Sequence, residues 1–205
     1  MIINNAGFAA VGPLVEMPQR EIQAQFSTNV FAPLNLIQQV APIMIRQGSG
    51  TIVNIGSVSG ILVTPFAGAY CASKASLHAI SEALRVELSP FNIQVVLVQT
   101  GAIESNIGHA ATDRLAQTLT ANSHYQAIMH KIRERAVTSQ KNATATEDYA
   151  RQLVAQLSRK KIAAWIVLGY HSRWFAFLRQ WLPQKLRDQI LSTKFGLTQL
   201  RSPSS

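Results

Sequence analysis

The apolar residues of this chain follow two patterns in turn, one with the period of a helix and one with no alternation at all. Through residues 20–46 apolar side chains return about every 3.6 residues, which predicts one long amphipathic helix. Pro33 and Pro42 lie inside this stretch, so we expect a kink or a local break at one or both positions. A second helix with the same period is predicted over residues 70–89.

Short apolar runs alternate with these helices and predict strands. Residues 51–57, 93–101 and 162–169 are apolar almost throughout and rich in β-branched side chains. Residues 1–3 are also apolar, and we expect them to form the end of a further strand. Strands that are apolar on both sides and separated by helices are typical of a parallel sheet covered on both faces. The sequence therefore predicts an α/β fold with a doubly wound parallel sheet.

The segment 103–145 differs from its neighbours because it is polar and shows no clear period. We expect it to be an irregular excursion from the sheet that covers the site as a lid. Thr144 and Glu147 stand at the spacing of a capping box, which predicts the start of a helix that runs to residue 160.

Composition and charge narrow the class of protein. The 205 residues are 47% apolar and 14% charged, which is typical of one globular domain. The formal net charge of +9 is concentrated at one end, since residues 151–205 hold ten lysines and arginines against Asp188 alone. A neutral body with a basic tail argues against nucleic acid as a partner. Cys71 is the only cysteine, which fits a reducing compartment, so we expect a cytoplasmic protein.

Residues 171–205 form a basic, amphipathic tail in this interpretation. One face of the predicted helix is an apolar stripe of Trp174, Phe177, Leu178, Trp181 and Leu182. At its flank or back lie Arg173, Arg179 and Gln180. Two hypotheses stay open for this stripe. It packs on the surface of the domain or of a dimer, or residues 171–200 make peripheral contact with a membrane, with the arginines near lipid phosphate.

Polar residues that follow the predicted strands are the candidates for a site, because ligands of such sheets bind at the carboxyl ends of the strands. Residues 5–7, Ser57 and 100–101 stand at these ends. Tyr70 and Lys74, four residues apart, project from one face of the next helix. Each has a plainer alternative, such as a strand-end cap for Ser57 or a solvated charge for Lys74. The histidines show no metal-ligand spacing, so no metal site is predicted.

Five segments of the chain carry a resemblance to a known family: NNAG (4–7), FSTNVFAP around Asn29, GSVSG (56–60), YCASK (70–74) and QTGAIES (99–105). Ser57 precedes Tyr70 by 13 residues, and Asn29 precedes Ser57 by 28. In this order and at these spacings the chain resembles the short-chain dehydrogenase/reductase family. The resemblance implies a partial Rossmann fold over residues 1–170, with strands that correspond to strands four to seven of the family.

The resemblance also implies a catalytic set of Asn29, Ser57, Tyr70 and Lys74. Tyr70 would be the general acid when a carbonyl is reduced and the general base when an alcohol is oxidised, since Lys74 is expected to lower the pKa of its phenol. Ser57 would hold the substrate oxygen, and Asn29 would position a water that relays protons to Lys74. The implied reaction is hydride transfer between a nicotinamide cofactor and a ketone or secondary alcohol.

Tyr70 and Lys74 belong to the implied cofactor site as well, Lys74 through the hydroxyls of the nicotinamide ribose. Two segments complete this implied site: Asn5, Ala6 and Gly7 on the adenosine side, and Thr100, Gly101, Ile103 and Ser105 in the loop over the nicotinamide. Thr100 stands where the family usually has proline. From the resemblance to reductases, NADP(H) is favoured over NAD(H).

Two hypotheses follow for the chain as a whole. The glycine-rich turn with which the family holds the cofactor pyrophosphate is not found in these residues, and under the first hypothesis we expect it before Met1. In the first hypothesis the chain is an oxidoreductase. Its tail resembles those of acyl-dihydroxyacetone-phosphate reductases and 17β-hydroxysteroid dehydrogenases, which favours a bulky, apolar, lipid- or steroid-like substrate. In the second it is a non-catalytic interaction module, unable to bind cofactor. The family also implies a homodimer or tetramer through helices 20–46 and 70–89.

Overall fold

The short apolar runs form a four-stranded parallel sheet with the strand order β1-β2-β3-β4. The computed structural model describes residues 1–118, 122–169 and 182–200. The strands are β1 (Ile2–Asn4), β2 (Gly50–Ile55), β3 (Ile93–Thr100) and β4 (Trp165–Leu168). Their register pairs Asn4 with Asn54 and Val98 with Ile166. All strands therefore end at the same edge of the sheet.

Helices cover both faces of this sheet, as the unalternating strands predict. Ile52 and Val53 are neighbours on β2 that point to opposite faces, and both are fully buried. One face packs Ile52 against Ile37 of the second helix, and the other packs Val53 against Leu153 of the sixth. The predicted α/β architecture with a doubly wound sheet is confirmed.

The long helix predicted over residues 20–46 is interrupted. It consists of α1 (Gln19–Phe26), a π-helical turn (Ser27–Phe31) and α2 (Ala32–Gln47). Pro33 is the second residue of α2, where a missing amide hydrogen costs little, and Pro42 stays inside that helix. The expected local break therefore occurs just before Pro33. The next helix, α3 (Gly68–Glu87), agrees with its prediction within two residues.

The segment 103–145 is more regular than expected. It contains α4 (Ile107–Thr118) and α5 (Met129–Val137), so the expected irregularity is wrong, while the lid over the site stays a prediction. These helices share an apolar cluster away from the sheet, in which Leu115, Ile128 and Ile132 are almost fully buried. The apolar residues of α4 are mostly alanine and those of α5 are separated by charged residues, so the helical period is weak in the sequence.

The predicted capping box is also wrong. The sixth helix, α6 (Thr146–Leu157), begins after Ala145, and no side chain caps it. The hydroxyl of Thr146 instead donates to the backbone carbonyl of Glu104 at 2.5 Å. That bond ties the start of α6 to the loop after β3.

Most of the predicted aromatic stripe of the tail, from Trp174 to Trp181, lies outside the described residues. After it, α7 (Gln184–Lys194) packs on the domain. Phe195 follows this helix and is buried against the ring of Phe66, with ring centroids 6.2 Å apart. Within the described ranges, no helix combines the length and the apolar character that crossing a membrane would need.

Candidate active site

A cavity of about 980 Å³ opens at the carboxyl ends of the strands. Its wall contains ten of the eleven residues that the sequence singles out: Asn5, Ala6, Gly7, Ser57, Tyr70, Lys74, Thr100, Gly101, Ile103 and Ser105. They come together because β1, β2 and β3 end at one edge and α3 starts beside them. The eleventh residue, Asn29, lies next to Gly7. A Cβ on Gly7 would be 3.2 Å from Oδ1 of Asn29.

Tyr70 lies in the first turn of α3, and its phenol interacts with the hydroxyl of Ser57. Burial raises the pKa of Tyr70 above its ordinary value, and this effect is larger than the opposing effects of Ser57 and of the Arg135 guanidinium. The phenol therefore keeps its proton at neutral pH. Arg135, on α5, is a residue of this site that the motif does not include.

Lys74 stands one turn after Tyr70, and its side chain is only 5% exposed. Its ammonium donates to the backbone carbonyl of Ile55 at 2.8 Å, and burial lowers its pKa to about 8. Arg135 is the cation that lowers the pKa of Tyr70. Lys74 is not among the groups that shift this pKa. The expectation that Lys74 brings the pKa of Tyr70 down is therefore not met, because burial of the phenol dominates.

Asn29 lies in the π-helical turn, and its amide bonds to two other segments. Its Oδ1 accepts from the backbone N–H of Phe8 at 3.1 Å, and its Nδ2 donates to the Phe8 carbonyl and to Ser73 Oγ, both at 3.0 Å. Gln25 adds two bonds to the same loop, one to Phe8 and one to Ala10. Asn29 therefore joins the loop after β1 to the helix that carries Lys74.

Ser57 is held in place by His78, a residue that the motif does not contain. The backbone N–H of Ser57 donates to Nε2 of His78 at 3.3 Å, and the imidazole is only 7% exposed. A Cβ on Gly56 would lie 2.5 Å from the His78 ring, and one on Gly60 would lie 2.7 Å from it. Burial, assisted by the Lys74 charge, lowers the pKa of His78 to about 4, so Nε2 stays free to accept.

The loop after β3 is anchored by side chains of the second half of the chain. Thr100, the residue at the usual proline position, shares a 2.8 Å hydrogen bond with the hydroxyl of Tyr149 on α6. The backbone N–H of Ser105 donates to Gln140 Oε1 at 2.9 Å. These bonds restrain the loop in the place of a proline ring.

The wall suits a nicotinamide cofactor on two observations. The ammonium of Lys74 has three N–H donors, and Ile55 is its one acceptor among the described residues, so two donors remain on a side chain that lines the cavity. A Cβ on Gly7 would lie 3.5 Å from that ammonium and 3.2 Å from Asn29 Oδ1, so the absence of a side chain keeps this space open. Lys74 is thus the group that would meet the ribose hydroxyls, and Gly7 leaves the space beside it open.

Comparison with known proteins agrees with this geometry. The family model for short chain dehydrogenases matches residues 1–116. The chain is 30% identical over 200 residues to the short-chain dehydrogenase RED1 of Pyricularia oryzae, which covers 98% of this chain and 70% of that protein. The crystal structure of a short-chain dehydrogenase from Streptomyces avermitilis superposes with a TM-score of 0.72 at 27% identity, over 96% of this chain and 68% of that one.

The same fold recurs in a short-chain dehydrogenase from Sphingobium yanoikuyae in complex with NADPH, with a TM-score of 0.61 at 24% identity, over 99% of this chain and 66% of that one. The family model alone covers more than half of the chain. The chain therefore belongs to the short-chain dehydrogenase family and is an oxidoreductase.

Proposed function

We propose that this protein reduces a ketone to a secondary alcohol with hydride from NAD(P)H. The observation that carries the proposal is the phenol of Tyr70 beside the hydroxyl of Ser57 in the cavity wall. Because burial raises the pKa of Tyr70, the phenol holds its proton at neutral pH, which is the state that a general acid needs. This protonation state suits Tyr70 to give a proton to the carbonyl oxygen during reduction.

Each side chain of the wall has a role in this reaction. A bound nicotinamide would supply the hydride. Ser57 would donate a hydrogen bond to the carbonyl oxygen and so orient the reacting carbon, and Tyr70 would give its proton to that oxygen. Lys74 would hold the ribose hydroxyls. Asn29 would hold the loop at Phe8 against α3, beside a water that relays protons to Lys74.

NADP(H) remains our preferred cofactor, and a large apolar molecule remains our preferred substrate. The Sphingobium yanoikuyae enzyme of the same fold, in complex with NADPH, supports the first preference. The second is supported by the many apolar side chains of the cavity wall: Val11, Leu62, Ile107, Leu182, Ile190, Leu191 and Phe195. A comparison of kcat/KM for NADPH and NADH with ketones of increasing chain length tests both preferences.

The decisive experiment follows the oxidation of NADPH by the purified protein with such a panel of ketones. Tyr70→Phe removes the proton donor and should lower kcat by about 10²- to 10⁴-fold, with no loss of thermal stability. Tyr125→Phe is the control, because Tyr125 packs against Phe66 in the apolar cluster and is not one of the described residues that line the cavity. This variant should keep most of the activity.

Two results would contradict the proposal. Equal losses in the two tyrosine variants would show that Tyr70 is not the acid. If calorimetry detects no cofactor binding and no ketone is reduced, the protein is the non-catalytic module instead. That alternative is not favoured, because the predicted residues converge on one cavity and the relatives are dehydrogenases.

A further inference from the structure

The cavity wall carries a strong excess of positive charge. Among the described residues that line it are five basic side chains and one carboxylate: Lys74, Arg135, Lys141, Arg187 and Lys194, and Glu104. Two of the five, Arg187 and Lys194, come from α7, so the basic end of the chain contributes directly to the cavity. A concave wall of one sign raises the local concentration of ligands of the opposite sign.

Arg135 is the member of this group that lies next to the chemistry. It projects from α5, and its Nε and Nη2 both donate to Thr64 Oγ1, at 3.2 Å and 3.0 Å. Its charge acts on the phenol of Tyr70, so the guanidinium and the proposed proton donor are close neighbours. Partial burial lowers the pKa of Arg135 itself, while part of the residue stays accessible.

No carboxylate in the described part of the chain forms an ion pair with Arg135. Lys141, by contrast, has its charge matched by Glu134 at 2.8 Å. A guanidinium has five N–H donors, and Thr64 accepts from two of its nitrogens while leaving the positive charge unmatched. Arg135 is half-buried, so an anion at its open side would offset the cost of removing its charge from water, and a planar guanidinium suits a carboxylate or a phosphate.

We propose that Arg135 binds an anionic group of the carbonyl substrate, a carboxylate or a phosphate ester, while the apolar wall holds the remainder of that molecule. The inference rests on the proposed function and narrows its substrate class from apolar ketones to amphiphilic oxo acids or oxo phosphates. Thr64 fixes the guanidinium through two hydrogen bonds, so the distance between the anionic group and the reacting carbonyl is set by the protein.

The test compares pairs of probes, one member with the anionic group and one without it. They are 4-oxopentanoate against its methyl ester, and dihydroxyacetone phosphate against dihydroxyacetone. Calorimetry measures the binding of each probe to the full chain without cofactor, and NADPH oxidation measures kcat/KM where turnover occurs. At least one anionic probe should be preferred over its neutral partner by roughly ten- to a hundredfold, the range expected for a charge-assisted hydrogen bond. The pair that shows the preference distinguishes carboxylate from phosphate.

Three variants test whether Arg135 causes the preference for anionic probes. Arg135→Met should reduce the ratio between charged and neutral probes to about one, and Arg135→Lys should keep part of it. Arg133→Met is the matched control, because Arg133 is exposed on the same helix, and the ratio should not change. Circular dichroism and thermal melting confirm that each variant is folded. If Arg135→Met fails to fold, Arg135→Lys decides, since its ratio should fall below that of the wild type.

The inference and the proposed function fail in different ways. Equal losses for the charged and neutral members of a pair in Arg135→Met would mean that Arg135 only supports the structure, and would overturn the inference. An unchanged ratio in that variant, or no preference for either anion in the wild type, would overturn it as well. If no ketone is turned over at all, the proposed function fails, while the calorimetric ratio still decides whether Arg135 binds an anion.

Discussion

The two walls of the cavity come from different parts of the chain. The proton-transfer wall (Ser57, Tyr70 and Lys74) belongs to β2 and α3, which are close in sequence and fixed by the parallel sheet. The lid wall (Arg135 and Phe195) belongs to α5 and to the residue after α7, which share an apolar cluster outside the sheet. We therefore expect the chemistry to depend on local geometry and the choice of substrate to depend on how the second half of the chain packs.

The substitution that should distinguish the two walls most strongly is one that lowers the free energy of unfolding. Phe195→Ala leaves a cavity beside Phe66 in the apolar cluster that supports the lid wall, and it should cost about 3–5 kcal/mol of unfolding free energy. Urea unfolding measures this loss. The proton-transfer wall does not contain Phe195, so kcat for a small ketone should change far less than KM for a long one.

Leu186→Ala is the control for this prediction, because Leu186 is 46% exposed on the neighbouring helix α7. Its effect on unfolding should stay within about 0.5 kcal/mol. If Phe195→Ala lowers kcat for small and large ketones alike, the two walls are mechanically coupled. The distinction between them would then be wrong.

The proton-transfer wall is predictable from the sequence because each of its residues is placed by a short segment. Tyr70 and Lys74 share a face of α3 through their spacing alone, and Ser57 follows a strand whose apolar run is evident. The strand ends then meet because parallel strands share one edge. The predicted strands and helices of this half agree with the structure within a few residues.

The lid wall is not predictable in the same way, because its contacts join distant residues. Arg135 and Thr64 are 71 positions apart, and only the packing of α5 brings them together. The pKa of Tyr70 cannot be predicted from the sequence either. Spacing places Lys74 nearby, but the depth of burial that dominates the pKa depends on the whole fold. In the sequence, only its position one turn after Lys74 indicates that His78 belongs to the site.

A smaller effect concerns the support of the proton-transfer wall by His78 and depends on pH. Burial lowers the pKa of this imidazole from 6.5 to about 4, so the folded protein binds its proton less readily than the unfolded chain does. The stability is therefore fully present above the unfolded pKa and is lost as the pH falls towards the folded pKa. Between pH 7 and pH 5 the loss should reach about 2 kcal/mol.

Urea unfolding at a series of pH values measures this loss, and His78→Gln is the variant that removes it. Glutamine does not titrate, and its side-chain oxygen can accept from the Ser57 N–H, so the pH dependence should become flatter by about 2 kcal/mol while kcat is largely kept. His78→Leu removes the acceptor and should lower kcat further than His78→Gln. Identical pH dependence in the wild type and in His78→Gln would mean that the imidazole is not buried in its neutral form.

The smallest expected effect lies outside both walls, at the bond between Thr100 on β3 and Tyr149 on α6, which anchors the loop after β3. Thr100→Val and Tyr149→Phe each remove one partner of this bond, and each should cost about 1 kcal/mol of unfolding free energy. Because both changes delete the same interaction, the double variant should cost less than the sum of the single ones, and a double-mutant cycle measures the difference. A coupling near zero would mean that the bond does not restrain the loop in place of the usual proline. Thr100→Pro should then be tolerated as well as Thr100→Val, since only the backbone conformation would matter at this position.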